Sequence, residues 1–255
     1  TGNSVGSIGG VVVGGLNHTI GTETRFSIIA GGYCNYIVSS CAAQNSNTIS
    51  GGNCSCICSE SSNNTIGGGQ HNRIQCKVAN STIAGGASNT ICNTIDFDYG
   101  SFIGGGSANC IINGDDSVIA GGSKNNLTAD NNFIGGGCFN TGSAAYSFIG
   151  AGMQNINGST CGVIVGGAFN SSSAACSFIG GGVYNTSSAV SSFLGGGCKN
   201  SISAYSAFSN AALVGGCGNL LGADGGFMGG GYGNTISDYS NCTVLVGGKD
   251  NTLSG

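Results

Sequence analysis

Residues 177–200 read SFIGGGVYNTSSAVSSFLGGGCKN, nearly the same phrase twice. Ser177-Phe178-Ile179 leads into three glycines, two free positions and Asn185. Ser192-Phe193-Leu194 repeats this and closes on Asn200. Such self-similarity at a short, fixed step marks a chain built from stacked identical units.

Working outward, the same anchor returns as Asn17, Asn35, Asn72, Asn89, Asn109, Asn125, Asn140, Asn155, Asn170, Asn185, Asn200, Asn219, Asn234 and Asn251, with Ser55 in its place once. That makes fifteen copies. From Asn125 to Asn200 the step is 15 residues throughout; elsewhere it stretches to as many as 20. Three before the anchor stands Gly, and the copy anchored on Asn17 reads one residue short. Four before stands Gly except at Ala151. Six before is aliphatic or Met: Ile29, Ile49, Ile66, Ile83, Ile103, Ile119, Ile134, Ile149, Ile164, Ile179, Leu194, Leu213, Met228 and Leu245, with Val12 in the short copy. Eight before is mostly small and polar, as at Ser27, Ser81, Ser101, Ser117, Ser147, Ser177 and Ser192. Two after the anchor, Ile37, Ile74, Ile91, Ile111, Leu127, Ile202, Ile236 and Leu253 form another apolar column.

Fifteen residues are too few for a helix pair. They fit one coil of an all-β parallel solenoid, with two short strands and two tight turns. The expected fold is a single repeat domain over residues 1–255, of about fifteen coils of 15–20 residues. At ~4.8 Å per coil the rod is roughly 70 Å long. Glycine lets backbones approach closely at the turns. Asn tolerates left-handed turns and can bond backbone or its stacked neighbours. Each coil is stable only against the next.

Composition removes other classes. The chain has 52 Gly, no Pro, no Trp and 6% charged residues. A net charge of −4 offers no basic footprint for nucleic acid. No stretch approaches the ~20 apolar residues of a membrane span. Fifteen glycine turns without helices are unlike a single phosphate-cradling loop.

Seven before the anchor, on the face opposite the Ile column, stand Phe102, Phe133, Phe148, Phe178, Phe193 and Phe227, with Ile28, Val118, Val163 and Val244. This face is expected to point outward, with Phe inward and Ile outward as the alternative, and either way one apolar column is left over. Two residues on, the same face carries Ala30, Ala84, Gly104, Ala120, Gly135, Gly150, Val165, Gly180 and Gly195, mostly small. An apolar strip of this length is expected to be a subunit interface. Cyclic symmetry closes it most simply as a homotrimer. Thr48, Thr65 and Thr82 weaken the strip in the first third.

Fourteen cysteines suggest an oxidising location or a particle with its own oxidation machinery. Cys34 with Cys54, Cys161 with Cys176, and Cys198 with Cys217 share columns in adjacent coils, about 4.8 Å apart, and are the disulfide candidates. Free small buried thiols are the alternative. Cys54-x-Cys56-x-Cys58 lacks the spacing and second pair of a structural zinc site.

Chemistry-bearing groups are few. His18 and His71 read as solvated turn residues. Asp96, Asp98, Asp115, Asp116 and Asp130 read as solvated turns, with an inter-coil calcium site as the alternative. No catalytic residue, cofactor site or metal site is expected, and the chain reads as a non-enzyme.

The pattern Ser-Φ-Ile-Gly-Gly-Gly-x-x-Asn resembles the head repeats of YadA-like trimeric adhesins and the Gly-Gly-Asn β-roll repeats of phage and large DNA virus fibre proteins. It runs from about residue 10 to 253. The resemblance implies a trimer of parallel β-rolls used as an attachment fibre. The 15-residue units, the fourteen cysteines and the lack of a coiled-coil stalk depart from the bacterial heads. The expectation is an extracellular or virion-surface structural fibre or attachment spike. It would contact a host receptor or glycan through insertions at 38–48, 93–100 and 203–211. Two alternatives are an extracellular filament formed end to end through open coil edges, and an ice-binding solenoid using the Thr48, Thr65 and Thr82 row.

Overall fold

The computed structural model describes residues 2–39, 46–58, 60, 62–203, 209–238, 240 and 242–254; the side chains of 96–98 are outside that description. Among the described residues every regular element is a strand and there is no helix. The chain forms two units, Thr1–Gly136 and Gly137–Gly255. Each is a parallel β-solenoid, with two sheets formed by alternate strands.

In the first unit one sheet runs from Val11–Val12 to Phe133–Ile134. Its strands are two residues long because the glycines follow at once. Each pairs in register with the next coil: Ile29 with Ile49, then Ile66, Ile83, Ile103, Ile119 and Ile134. All seven are fully buried. The other sheet, from Ser4–Val5 to Asn126–Leu127, supplies Ile20, Ile37, Ile57, Ile74, Ile91, Ile111 and Leu127, also buried. Burying a side chain of this size contributes roughly 1.5–3 kcal/mol, so two such residues per coil make a thin but continuous core. Ile20 and Ile57 belong to this column although their coils are anchored on residues other than Asn.

Two strands of this unit are longer, β1 (Arg73–Ala79) and β2 (Thr90–Tyr99). The 93–100 stretch, expected to be a variable insertion, is therefore mostly strand. Of the other two insertions, residues 40–45 and 204–208 lie outside the described residues.

In the second unit Ile149, Ile164, Ile179, Leu194, Leu213, Met228 and Leu245 pair in sequence. All are buried except Leu245, which is half-buried. The facing column departs from the expected aliphatic pattern. Gly142, Asn157, Ser172 and Ser187 are inside, and only then do Ile202, Leu221 and Ile236 resume. In these 15-residue coils the polar groups reach each other across the core. Ser172 pairs with Ser177, and Ser187 with Ser192. The Asn157 amide donates to the Gly162 carbonyl at 2.9 Å. Buried polar groups are tolerated when bonded in this way.

The anchor asparagines from Asn35 to Asn234 are buried and Asn251 is exposed. Their amides bond backbone and one another as expected, but they do not take the left-handed turn conformation. That falls to the residue in front of each, including Cys34, His71, Ser88, Ala108, Lys124, Phe139, Gln154, Phe169, Tyr184 and Lys199, all with φ between 51 and 58°. The Asn is needed for bonding. In a representative coil, the Asn155 amide donates to the Ala151 and Gly167 carbonyls at 3.2 and 3.0 Å, and its oxygen accepts the Asn170 N–H at 3.1 Å. The same pattern links Asn72 to Asn89, Asn109 and Asn125, and Asn185 to Asn200, Asn219, Asn234 and Asn251.

The first coil needs no gap. Leu16 pairs with Tyr33, so Asn17 aligns with Cys34 and His18 with Asn35. Asn17 takes the left-handed corner, with φ 59°. His18 is fully buried rather than solvated. Its Nδ1 accepts the Asn35 N–H at 3.2 Å, where other coils use an Asn oxygen, and the His18 backbone N–H donates to Asn3 Oδ1 at 3.0 Å.

Candidate functional site

With the Ile column turned inward, alternation turns its neighbours outward. Phe102 is 37% exposed, Phe148 38%, Phe193 44% and Phe227 39%; Phe133 and Phe178 are half-buried. In the second unit the column reads Phe148, Val163, Phe178, Phe193, Ala212, Phe227 and Val244 in register. Phe178 and Phe193 stack with centroids 5.2 Å apart and planes at 5°. Beside them the small Gly150, Gly180 and Gly195 leave half-open gaps, between which Val165 and Val214 stand exposed in the same column. In the first unit Thr48, Thr65 and Thr82 stand in this column, in register and half-buried.

A second surface lies along the left-handed corners. There the side chain points away from the coil and its identity is unconstrained by packing. On these corners Phe169 and Tyr184 stack at 4.7 Å; one residue before the corner, Lys249 lies over the ring of its bridge partner Tyr232 at 5.7 Å. On the first unit His71 and Ser88 share this corner column, and Arg73 and Thr90, two residues on, pair on the adjoining strands. Together they line a shallow cavity of about 340 Å³. His71 is exposed, as expected of a turn residue. Here the sequence signal was missed, because corner positions carry no residue preference.

The cysteine expectation needs correction. Cys34, Cys54, Cys161, Cys176, Cys198 and Cys217 are free thiols, and the bridge present joins Cys56 to Cys58. Cys198 and Cys217 do pair across adjacent coils. In directly opposed, parallel positions, however, the Cα–Cβ bonds run side by side. The Cβ atoms then stay near the ~4.8 Å strand spacing, beyond the ~3.8 Å typical of a disulfide. Cys34 and Cys54 sit on left-handed corners, as do Cys161 and Cys176. Burial, with Cys34 close by, pushes the Cys54 thiol up. Cys54 is off the strand, and the Cys56–Cys58 bridge leaves no thiolate pair there for a metal.

Of the acidic residues, Asp130 accepts the Asp115 N–H at 3.0 Å, and both border a cavity of about 180 Å³ with Asn93, Ile95 and Asn113. Asp116 is a left-handed corner residue, φ 50°. The Asp96 and Asp98 side chains lie outside the described residues. Among the described residues no three His, Cys, Asp or Glu side chains gather as a metal site would require. Among the described residues no helix is long and apolar enough to cross a membrane.

No protein-family model matches the chain, and no curated protein matches it in sequence.

Proposed function

We propose that this protein is a non-enzymatic structural fibre or attachment spike on a virion or cell surface, assembled as a homotrimer of parallel solenoids. The observation that carries the reading is the outward Phe column beside its column of mostly small residues. A stacked, half-exposed aromatic row is costly in water and self-complementary to a copy of the same face. The buried anchor asparagines are bonded within their ladder, which suits reach and rigidity. Contact with a host receptor or glycan then belongs to the corner columns, where residue identity is free of packing constraint. The His71, Arg73, Ser88 and Thr90 cavity there has donors suited to an acidic sugar.

Negative-stain electron microscopy of the purified chain tests this. Discrete slender rods of uniform length support it. Long filaments favour end-to-end assembly instead, and round single particles would contradict both.

Ice binding keeps one specific observation, the in-register row of Thr48, Thr65 and Thr82. A thermal hysteresis measurement separates it from the fibre reading, which predicts none.

A further inference from the structure

Where β1 and β2 run side by side, their register breaks. Asn93 pairs with Cys76, and the next pairing is Asp98 with Val78, so Lys77 alone stands opposite 94–97. A bulge of this kind re-aims side chains. At the break Cys76 adopts φ +67°, a region that side chains avoid. In an even strand Cys76 would point opposite to Gln75; the left-handed turn cancels that alternation. Cys92 is the cross-strand partner of Gln75, so it is the diagonal neighbour of Cys76. Their sulfurs lie 3.0 Å apart, both half-buried. Lys77 Nζ donates to the Ile95 carbonyl at 3.2 Å over the same bulge. Beside it opens a cavity of about 290 Å³ lined by Glu60, Cys76, Lys77, Asn93 and Thr94.

We propose that Cys76 and Cys92 form an inter-coil disulfide that locks β1 to β2 at this bulge. The oxidant is a small-molecule disulfide of the glutathione class, admitted through the cavity. The Cys76 thiolate attacks one sulfur of the oxidant, whose S–S bond breaks and releases one thiol. The Cys92 thiolate then attacks the Cys76 sulfur of the mixed disulfide and expels the second thiol. Two cysteine thiols lose two electrons, the oxidant gains them, and both cysteine protons end on the released thiols. Same-column pairs such as Cys198 and Cys217 lack this diagonal approach. The staple is independent of the fibre reading, since a monomer would carry it equally.

The full chain is incubated with glutathione disulfide, alkylated, digested and examined by mass spectrometry. A Cys76–Cys92 linked peptide that disappears on reduction is the expected result. Both cysteines alkylated, in a sample where Cys56–Cys58 is oxidised, would overturn the proposal. Hydrogen exchange gives a second readout. Strand 73–79 in the oxidised protein is expected to exchange roughly a hundredfold more slowly than in Cys92→Ala, as closure of a loop of this size implies. Equal rates would overturn it.

Discussion

The side-chain oxygen of Asn170 accepts the backbone N–H of Asn185 at 3.0 Å, one coil further along. The amide of the same Asn170 donates to the carbonyls of Gly166 and Gly182, each at 3.0 Å. One buried side chain thus serves backbone groups in its own coil and in the next. Asn170→Ala leaves the Asn185 N–H and the Gly166 carbonyl without this partner, at about 1–3 kcal/mol for each buried orphan, while the Gly182 carbonyl keeps the Ala168 N–H at 2.9 Å. A loss of about 3 kcal/mol or more is expected in denaturant unfolding. Asn170→Asp, which keeps the acceptor but removes both donors and buries a charge, is expected to do no better.

Adjacent glycines are expected to behave differently. Gly167 has φ +84°, and a Cβ there would meet the Gly182 carbonyl oxygen. Gly166 has ordinary φ, and its nearest neighbour would be the Ala151 carbonyl at 3.7 Å. Gly167→Ala is expected to cost more than about 3 kcal/mol, combining left-handed strain with a backbone clash. Gly166→Ala is expected to change stability by less than about 0.5 kcal/mol. Ala151 already occupies the equivalent place in its coil. Comparing the two melting curves checks this.

Ser55 interrupts the anchor ladder. Its N–H donates to Asn35 Oδ1 at 3.0 Å, but its own buried hydroxyl has no hydrogen-bond partner. Ser55→Asn supplies an acceptor towards Asn72 and donors towards the Gly51 and Gly69 carbonyls. A gain of about 1–2 kcal/mol is expected from the restored bonds, measured as a higher denaturant midpoint at unchanged slope.

Burial pushes the Cys110 thiol up, whereas Cys161, Cys176 and Cys242 are exposed. The thiolate is the reactive form, so Cys110 is expected to alkylate several-fold more slowly than these three at neutral pH. Time-resolved iodoacetamide labelling read by mass spectrometry checks the order.

The Ile columns were legible because position and residue type coincide: Ile149, Ile164 and Ile179 recur at one step and pair in register. The corners were not. A left-handed corner accepts Cys34, His71, Ala108 or Phe139 alike, so nothing in composition marks it, and the turn role was assigned to the Asn behind it. His18 was misplaced for the same reason. Its column is defined by register with Asn35, while its residue type suggested solvent. Ser172 and Ser187 fall outside the aliphatic column, and a hydroxyl inside a core is legible only once its partner, Ser177 or Ser192, is known. The Cys76 and Cys92 contact escaped column reading because it arises where the register breaks.

The outward Phe row makes the assembly claim testable in one measurement, sedimentation equilibrium of the full chain at micromolar concentration. The account predicts a mass of three times the 24.8 kDa chain, falling to one chain when Phe178 and Phe193 are both changed to Ser while the β circular dichroism is retained. A single-chain mass for the unaltered protein would contradict it.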